Sequence, residues 1–382
     1  MKLNTLVLFV SFTLLGFAPQ GEIQKEFSIS PDKRLDVDLR TGGSLKITGW
    51  DKNSVKVEGR VRGTTADECK VEIEQESNGI RISSYYEGRR RNQNSNIEFE
   101  IQVPDKFNLH LETMGGGITI NNVQGTIEGK TMGGALDLTR LKGNLDLTTM
   151  GGKVSLTNSD VDGSVKTMGG KVIMEDVIGD VKASSQGGNV LQRNVKRRSG
   201  EGIQNEVNIS TMGGNINVDD APEGSDVHTM GGDIHIKRAT KYARAKTMGG
   251  NIDIDAVDGS VVATTMGGEV NVVMVGDPST GDRSVEIQSM GGDVTLTVPA
   301  KLSMDIDITL AYTRDRRDEY RIVSDFDVKQ EESKEWDHSH GSPRKYINAS
   351  GRIGNGTNKV HIKTINGNVY LKKGQPNPVP SE

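Results

Sequence analysis

Nine thioethers recur at one position of a repeated tetrapeptide, and a thioether is both a soft ligand and an adaptable apolar group. Thr113-Met114-Gly115-Gly116 returns at 131, 149, 167, 211, 229, 247 and 265 and then as Ser289-Met290-Gly291-Gly292, so nine of the 13 methionines share one place in the motif. A worn copy, Ser185-Gln186-Gly187-Gly188, fills the gap in the middle. We read the methionine column as packing, with flexible side chains one repeat apart filling a corner and covering its backbone. An exposed apolar stripe for a partner and Cu(I) held on the thioethers are the alternatives.

Other chemistry-bearing residues fall at outward positions of the same repeat. The residue between the two apolar positions after Gly-Gly runs Thr119, Asp137, Ser155, Ile173 and later Asn217, His235, Asp253, Asn271 and Thr295. Two positions before it, the later copies carry Asn215, Asp233, Asn251 and Glu269. A pair such as Asp233 and Asp253 is the type of carboxylate couple that cleaves glycosides, but a solvated strand face explains these polar columns more simply. We take Asn215, Asn217, Asp233, His235, Asn251, Asp253, Glu269 and Asn271 as a candidate interaction face, with no catalytic, cofactor-binding or metal-binding residue among them.

The remaining candidates are weaker still. His338 and His340 sit in a charged stretch, and Cys69 is the only thiol, so no intramolecular disulfide can form and a buried free cysteine is expected. The Gly-Gly motifs invite comparison with calcium β-rolls, but the fourth position here is apolar, which leaves the ion without ligands. The chain has no Gly-x-Ser-x-Gly elbow and no phosphate loop. No enzyme activity and no cofactor are expected.

The elements that carry these residues follow from the period. Met114, Met132, Met150 and Met168 are 18 apart (132 − 114, 150 − 132, 168 − 150), as are Met212, Met230, Met248 and Met266. The longer steps, 26 from Gln186 to Met212 and 24 from Met266 to Met290, are 18 plus a loop of 8 or 6. The added loops centre on Asn194–Gln204 and Gly276–Asp282. Within a unit, Leu136 and Leu138 alternate with Asp137, and Leu145 and Leu147 with Asp146, which is the pattern of half-buried strands. The phase slips by one at Met-Gly-Gly, so a corner lies there, and glycines such as Gly151, Gly213 and Gly249 are expected to supply positive φ.

Two strands and two corners per 18 residues predict an all-β chain: a β-solenoid of right-handed β-helix or β-roll type, with stacked coils. A meander of hairpins shares the period but would separate equivalent residues by two strands rather than one. Hydrophobic residues make up only 33% of the chain and glycines number 47, which suits narrow coils better than one globular core. The net charge of −5 argues against a nucleic-acid partner.

The organisation expected in chain order begins with a signal peptide at residues 1–20, from the basic Lys2 and the apolar run Leu6–Phe17. A β-rich cap of about six strands over 21–111 would cover the first coil's open edge. Within it, the Arg89–Asn94 run reads as a solvated loop tip. The repeat occupies 112–300, a charged surface excursion 301–350, and closing strands with a tail 351–382. No second apolar run follows the first, so an exported mature chain without a transmembrane segment is expected, periplasmic or at the cell surface.

Three segments resemble a known family. Gly43-Ser-Leu-Lys-Ile-Thr-Gly-Trp50, continuing to Glu58, is similar to the opening of the bacterial "putative adhesin" domain family, whose function is unknown. Val103-Pro104 leading to Leu109–Thr113, and the ending Gly354–Lys372, resemble that family's entry into its repeats and its close. The resemblance spans roughly residues 35–373 and implies a β-solenoid that is exported or envelope-associated. It carries no catalytic residues, and methionine at nearly every corner departs from it. The function expected is a non-catalytic, adhesin-like scaffold that binds a protein or glycan of the cell envelope or surface. An envelope-stress or signalling accessory and a carbohydrate-active β-helix enzyme are the alternatives.

Overall fold

The computed structural model describes residues 22–64, 66–87, 96–196, 208–314, 320–339 and 341–374. The expected signal peptide at 1–20, the Arg89–Asn94 run, most of the Asn194–Gln204 loop and His340 lie outside the described residues.

Alternation dictates strands, and 31 of them among the described residues join one hydrogen-bonded network. The pairing is parallel at the spacing of the repeat. Ile127, Leu145, Gly163 and Val181 stand side by side, as do Leu136, Val154, Val172 and Val190. Each 18-residue unit therefore stacks on the one before it, about 4.8 Å away, and the hairpin meander is excluded. The two columns form two faces, one entering the Thr-Met-Gly-Gly corner and one leaving it.

The apolar phase points inward, as the alternation requires. Leu136, Leu138, Leu145, Leu147, Val154, Leu156, Ile216, Val218, Ile252, Ile254, Val270 and Val272 are all buried. Asp137, Ser155, Asn217, Asp253 and Asn271 are exposed or half-buried on the outer surface. Each buried Leu or Val contributes about 1.5–3 kcal/mol, so a coil is held by four or five such side chains.

The corners depart from expectation. Gly151, Gly213 and Gly249 do not have left-handed backbone. In the Thr-Met-Gly-Gly corners positive φ occurs at Gly116 of the first copy, at 72°. It recurs at the opposite corner, on Asn122, Arg140, Asn158, Asp176 and Asn194, again 18 apart, with φ between 49° and 57°. Asn and Asp tolerate this conformation best among residues with a side chain. At the Gly-Gly corner the requirement is space. A Cβ on Gly134, Gly152 or Gly170, the second glycine of each pair, would sit 1.8–2.0 Å from the carbonyl oxygen of the second glycine one coil earlier. A Cβ on Gly133, the first of its pair, would meet nothing within 4 Å.

Both ends break chain order. Arg34–Leu39 and Ser44–Trp50 form a coil lying between Asn108–Thr113/Ile118–Asn121 on one side and Gly79–Tyr86/Asn96–Pro104 on the other. Antiparallel strands then follow: Cys69–Glu76 on Gly79–Tyr86, Ser54–Arg62 on Asn96–Pro104, and Glu22–Ser28 on Ser54–Arg62. At the other end Asn358–Ile365 and Val369–Gly374 insert between the repeat and Met304–Thr313/Ile322–Ser324. Segment 301–350 is thus only partly a surface excursion. Met304, Ile306, Ile308 and Leu310 are fully buried in the terminal coil, and Arg344–Ile353 covers its strand antiparallel. The high charge of the segment as a whole concealed this short alternating run.

The Gly276–Asp282 insertion does leave the stack as a loop, and Arg283 holds it. That guanidinium is buried and donates to the carbonyls of Val275 at 2.8 Å, Asp277 at 2.8 Å and Thr280 at 3.1 Å, and to the Asp258 carboxylate at 2.5 Å. Cys69, expected to be buried, is half-buried with its Sγ 3.9 Å from Thr41 Oγ1.

Candidate interaction faces and the methionine ridge

The eight residues of the candidate face do come together, on strands leaving the Gly-Gly corner, but in two columns with different roles. In the first column Asn215, Asp233 and Asn251 each accept, through a side-chain oxygen, a backbone N–H from the next coil. Asn215 Oδ1 takes the N–H of Asp233 at 2.9 Å, Asp233 Oδ1 that of Asn251 at 2.8 Å, and Asn251 Oδ1 that of Glu269 at 2.9 Å. Asn189 starts the ladder by accepting from Asn215 at 2.9 Å. Such bonds satisfy backbone groups where a strand begins, so these side chains tie coils together.

The second column is the freer one. Asn217, His235, Asp253 and Asn271 are neighbours in register, followed by Thr295. Asn271 Nδ2 donates to Asp253 Oδ1 at 2.9 Å, and His235 Nε2 lies 2.8 Å from Asp255 Oδ2. Asp233 has Asn on both sides along its column, and Asp253 has His235 and Asn271. Within each column these carboxylates are flanked by amides or imidazole, while Asp233 and Asp253 lie on successive coils in different columns and Glu269 is followed in its own column by Asp293.

A groove of about 410 Å³ lies on the opposite face, lined by Ser210, Asp226, His228, Arg244, Lys246 and Thr264 among others. Burial pushes the Asp226 carboxyl above its ordinary range. Burial, with the Lys246 charge beside it, holds the His228 imidazole below its ordinary range. Outward positions also recur before each inward Thr, on the strands that enter the corner. The column Ser210–His228–Lys246–Thr264, one residue before each inward Thr, was legible by the same spacing. A second groove of about 530 Å³ near the N-terminal end includes Asp36, Asp38, Glu72, Glu74, Arg81 and His110.

The methionine column is the largest correction. All nine ridge methionines are between 41% and 60% exposed, whereas Met174, Met274 and Met304 are buried at 3% or less. The ridge side chains do not fill the corner, because hydrogen bonds already complete it. Thr131 Oγ1 donates to the Gly116 carbonyl at 2.8 Å, Thr149 to Gly134 at 2.7 Å, Thr167 to Gly152 at 2.8 Å and Thr229 to Gly214 at 3.0 Å. The same hydroxyl accepts the N–H of its own second glycine, at 3.3 Å for Gly152 and 3.0 Å for Gly170. Thr364 repeats the bond to Gly292 at 2.8 Å, so Thr364-Ile365-Asn366-Gly367 is a further copy of the corner with Ile in place of Met.

Among the described residues no group of three or more His, Cys, Asp or Glu is placed to hold a metal ion, and no helix is long and apolar enough to cross a membrane.

The Toastrack DUF4097 family profile matches residues 171–372. No curated protein matches the chain. Among solved structures, a "putative adhesin" from Parabacteroides merdae ATCC 43184 is 13% identical over 67% of this chain and 97% of that one, with a TM-score of 0.35. A "putative lipid binding protein" from Parabacteroides distasonis ATCC 8503 is 13% identical over 72% and 96%, with a TM-score of 0.29. A "putative cell adhesion protein" from Clostridium sporogenes ATCC 15579 is 10% identical over 92% and 100%, with a TM-score of 0.19.

Proposed function

The chain belongs to the Toastrack DUF4097 family, in line with the resemblance carried by its opening and closing motifs, and from that premise we propose that it is a non-catalytic, adhesin-like interaction scaffold. The observation that carries this reading is the unbroken register of outward positions. Asn217, His235, Asp253, Asn271 and Thr295 repeat every coil, about 4.8 Å apart, and so form a strip matched to an extended or repetitive partner. A glycan chain or an extended polypeptide of the cell envelope has that form.

The finer architecture belongs to the same proposal. Parallel strands joined by crossovers adopt the right-handed connection almost always, which supports a right-handed solenoid. Residues 21–111 act as its N-terminal cap, since antiparallel strands cover the edge that the first coil would expose. Export through residues 1–20 delivers the chain to the periplasm or surface. The glycan-cleaving alternative asks for paired carboxylates in a groove. The groove beside His228 offers Asp226 among cationic neighbours, whereas the N-terminal groove carries Asp36, Asp38, Glu72 and Glu74 and is where that alternative would act.

Cosedimentation of residues 21–382 with purified envelope polysaccharide and with outer-membrane preparations tests the reading. Binding should occur in one of them and fall about tenfold or more when Asn217, His235, Asp253 and Asn271 are all replaced by Lys. Full binding by that variant would remove the strip from the proposal, and cell fractionation that finds the chain in the cytoplasm would remove the envelope.

A further inference from the structure

We propose that the methionine ridge is a binding site for soft monovalent cations, Cu(I) or Ag(I), each held between thioethers of adjacent coils.

The ridge is not a by-product of folding. Its nine side chains are 41–60% exposed although methionine is ordinarily buried, and the Thr–Gly bonds complete the corner without them. Exposed positions elsewhere in the coil change type from copy to copy, as in Asn217, His235, Asp253 and Asn271. The corner position stays Met in nine copies. An apolar contact alone would accept Leu, Ile or Val, which the chain interchanges freely at equivalent core positions such as 136, 154, 172 and 216. What Met adds to these is sulfur.

The spacing suits the ion. If metal–sulfur bonds are taken as about 2.3 Å, the length of a zinc–thiolate bond, a linear two-coordinate ion spans about 4.6 Å between sulfurs. Adjacent coils lie about 4.8 Å apart, so neighbouring sulfurs can bracket one ion with little departure from the stacking distance. Direct one-coil adjacency is fixed by backbone bonds: the Met132, Met150 and Met168 N–H groups donate to Thr113, Thr131 and Thr149, each at 3.1–3.2 Å. Met side chains have three rotatable bonds, which supply the small adjustment. The run Met212, Met230, Met248, Met266 and Met290 and the run Met114 to Met168 are separated by Gln186, so the ridge comprises two blocks of ligands.

The donor set selects the class of ion. Each Met is followed by two glycines and preceded by a buried hydroxyl, so its immediate neighbours bring no carboxylate to the ridge. Neutral thioethers bind soft, low-charge ions and leave hard divalent cations in water. Unlike His or Cys, they carry no proton to lose, so occupancy is insensitive to mild acid. The inference stands apart from the proposed scaffold role and needs no envelope partner.

The test uses residues 21–382 with Cys69→Ser, to remove the thiol, and methyl-13C-labelled methionine. Silver nitrate is titrated first, then Cu(I) under anaerobic competition with a chelator. The nine ridge methyl signals should shift while those of Met174, Met274 and Met304 stay still. Replacing Met212, Met230, Met248, Met266 and Met290 by Leu, which keeps the ridge apolar, should abolish binding in that block and leave the Met114–Met168 block titrating. Replacing all nine should weaken binding about a hundredfold or more. An unchanged affinity in the nine-Leu variant, shifts confined to the buried methionines, or equal binding of Zn(II) would each overturn the proposal. Because the methyl shifts are read on unsubstituted ridge residues, a variant that misfolds does not remove the test.

Discussion

The Thr149 hydroxyl donates to the Gly134 carbonyl at 2.7 Å, and the two residues belong to successive coils. The same bond recurs from Thr113–Gly43 to Thr364–Gly292, so it fastens the stack along one edge from end to end. Backbone ladders hold the faces, and this side-chain ladder holds the corner where the backbone turns away from sheet geometry.

Thr229→Val should therefore destabilise the chain by about 1–3 kcal/mol, because it leaves the buried Gly214 carbonyl without this donor. Thr229→Ser should cost much less, since Ser185 and Ser289 make the same bond at 2.8 and 2.9 Å. Urea denaturation of the two variants reads the difference, and equal losses would mean that the methyl group rather than the hydroxyl matters.

The two glycines of a corner should respond oppositely. Gly134→Ala places a Cβ 1.8 Å from the Gly116 oxygen and must spread the coils, at a cost of about 1–3 kcal/mol or more. Gly133→Ala meets nothing within 4 Å and should change stability by about 0.5 kcal/mol or less. A melting series that ranks them the other way would disprove the close-approach account.

Met150→Ser should be nearly neutral for stability, within about 0.5 kcal/mol, because the side chain is 41% exposed and the corner is closed without it. By contrast Met174→Ala, at 0% exposure, should cost about 2–5 kcal/mol. Chemical denaturation of both variants checks whether ridge and core methionines differ in this way.

Stability should respond to pH through the groove residues. Burial raises the folded-state pKa of Asp226 above its unfolded value near 3.8, so its contribution is fully present below that value and is lost as pH rises through the folded pKa. Asp226→Asn should then be more stable than the parent at neutral pH, with the gap closing in acid. His228 has the opposite sign. Its folded pKa is lowered from 6.5 by burial and then by Lys246, so its contribution is present above 6.5 and is lost as pH falls through the folded pKa. His228→Gln should blunt destabilisation on acidification below 6.5. Parallel urea titrations across the pH range decide both signs.

Arg283 should anchor the Gly276–Asp282 loop. Arg283→Met removes four hydrogen bonds to Asp258 and three loop carbonyls and should cost about 1.5–3 kcal/mol. Hydrogen exchange should quicken in that loop before it does in the neighbouring coils.

The sequence by itself determined the coil. An 18-residue period, the alternation of Leu136–Leu138 and Leu145–Leu147, and the slip at Met-Gly-Gly fix which side chains face inward, because a strand has only two faces and a one-residue error would expose the whole apolar set. The sameness of the corners pointed to stacking for the same reason: like residues one coil apart must meet. Tertiary structure decided what the period leaves free. Glycine was legible at the corner, but whether it served φ or space depended on how closely the next coil approached, and the Gly116 oxygen answered in favour of space. The left-handed corner fell on Asn122, Arg140, Asn158, Asp176 and Asn194, where Asn and Asp suit the conformation but Arg140 shows that residue type alone does not mark it. The non-sequential ends depended on which buried edges were left to pair, a matter of contacts far apart in the chain. The methionine column shows the limit most directly. Its spacing was plain, but a corner residue belongs to neither strand face, so alternation assigns it no side. Only the closed Thr–Gly corner beneath it shows that these nine thioethers point outward.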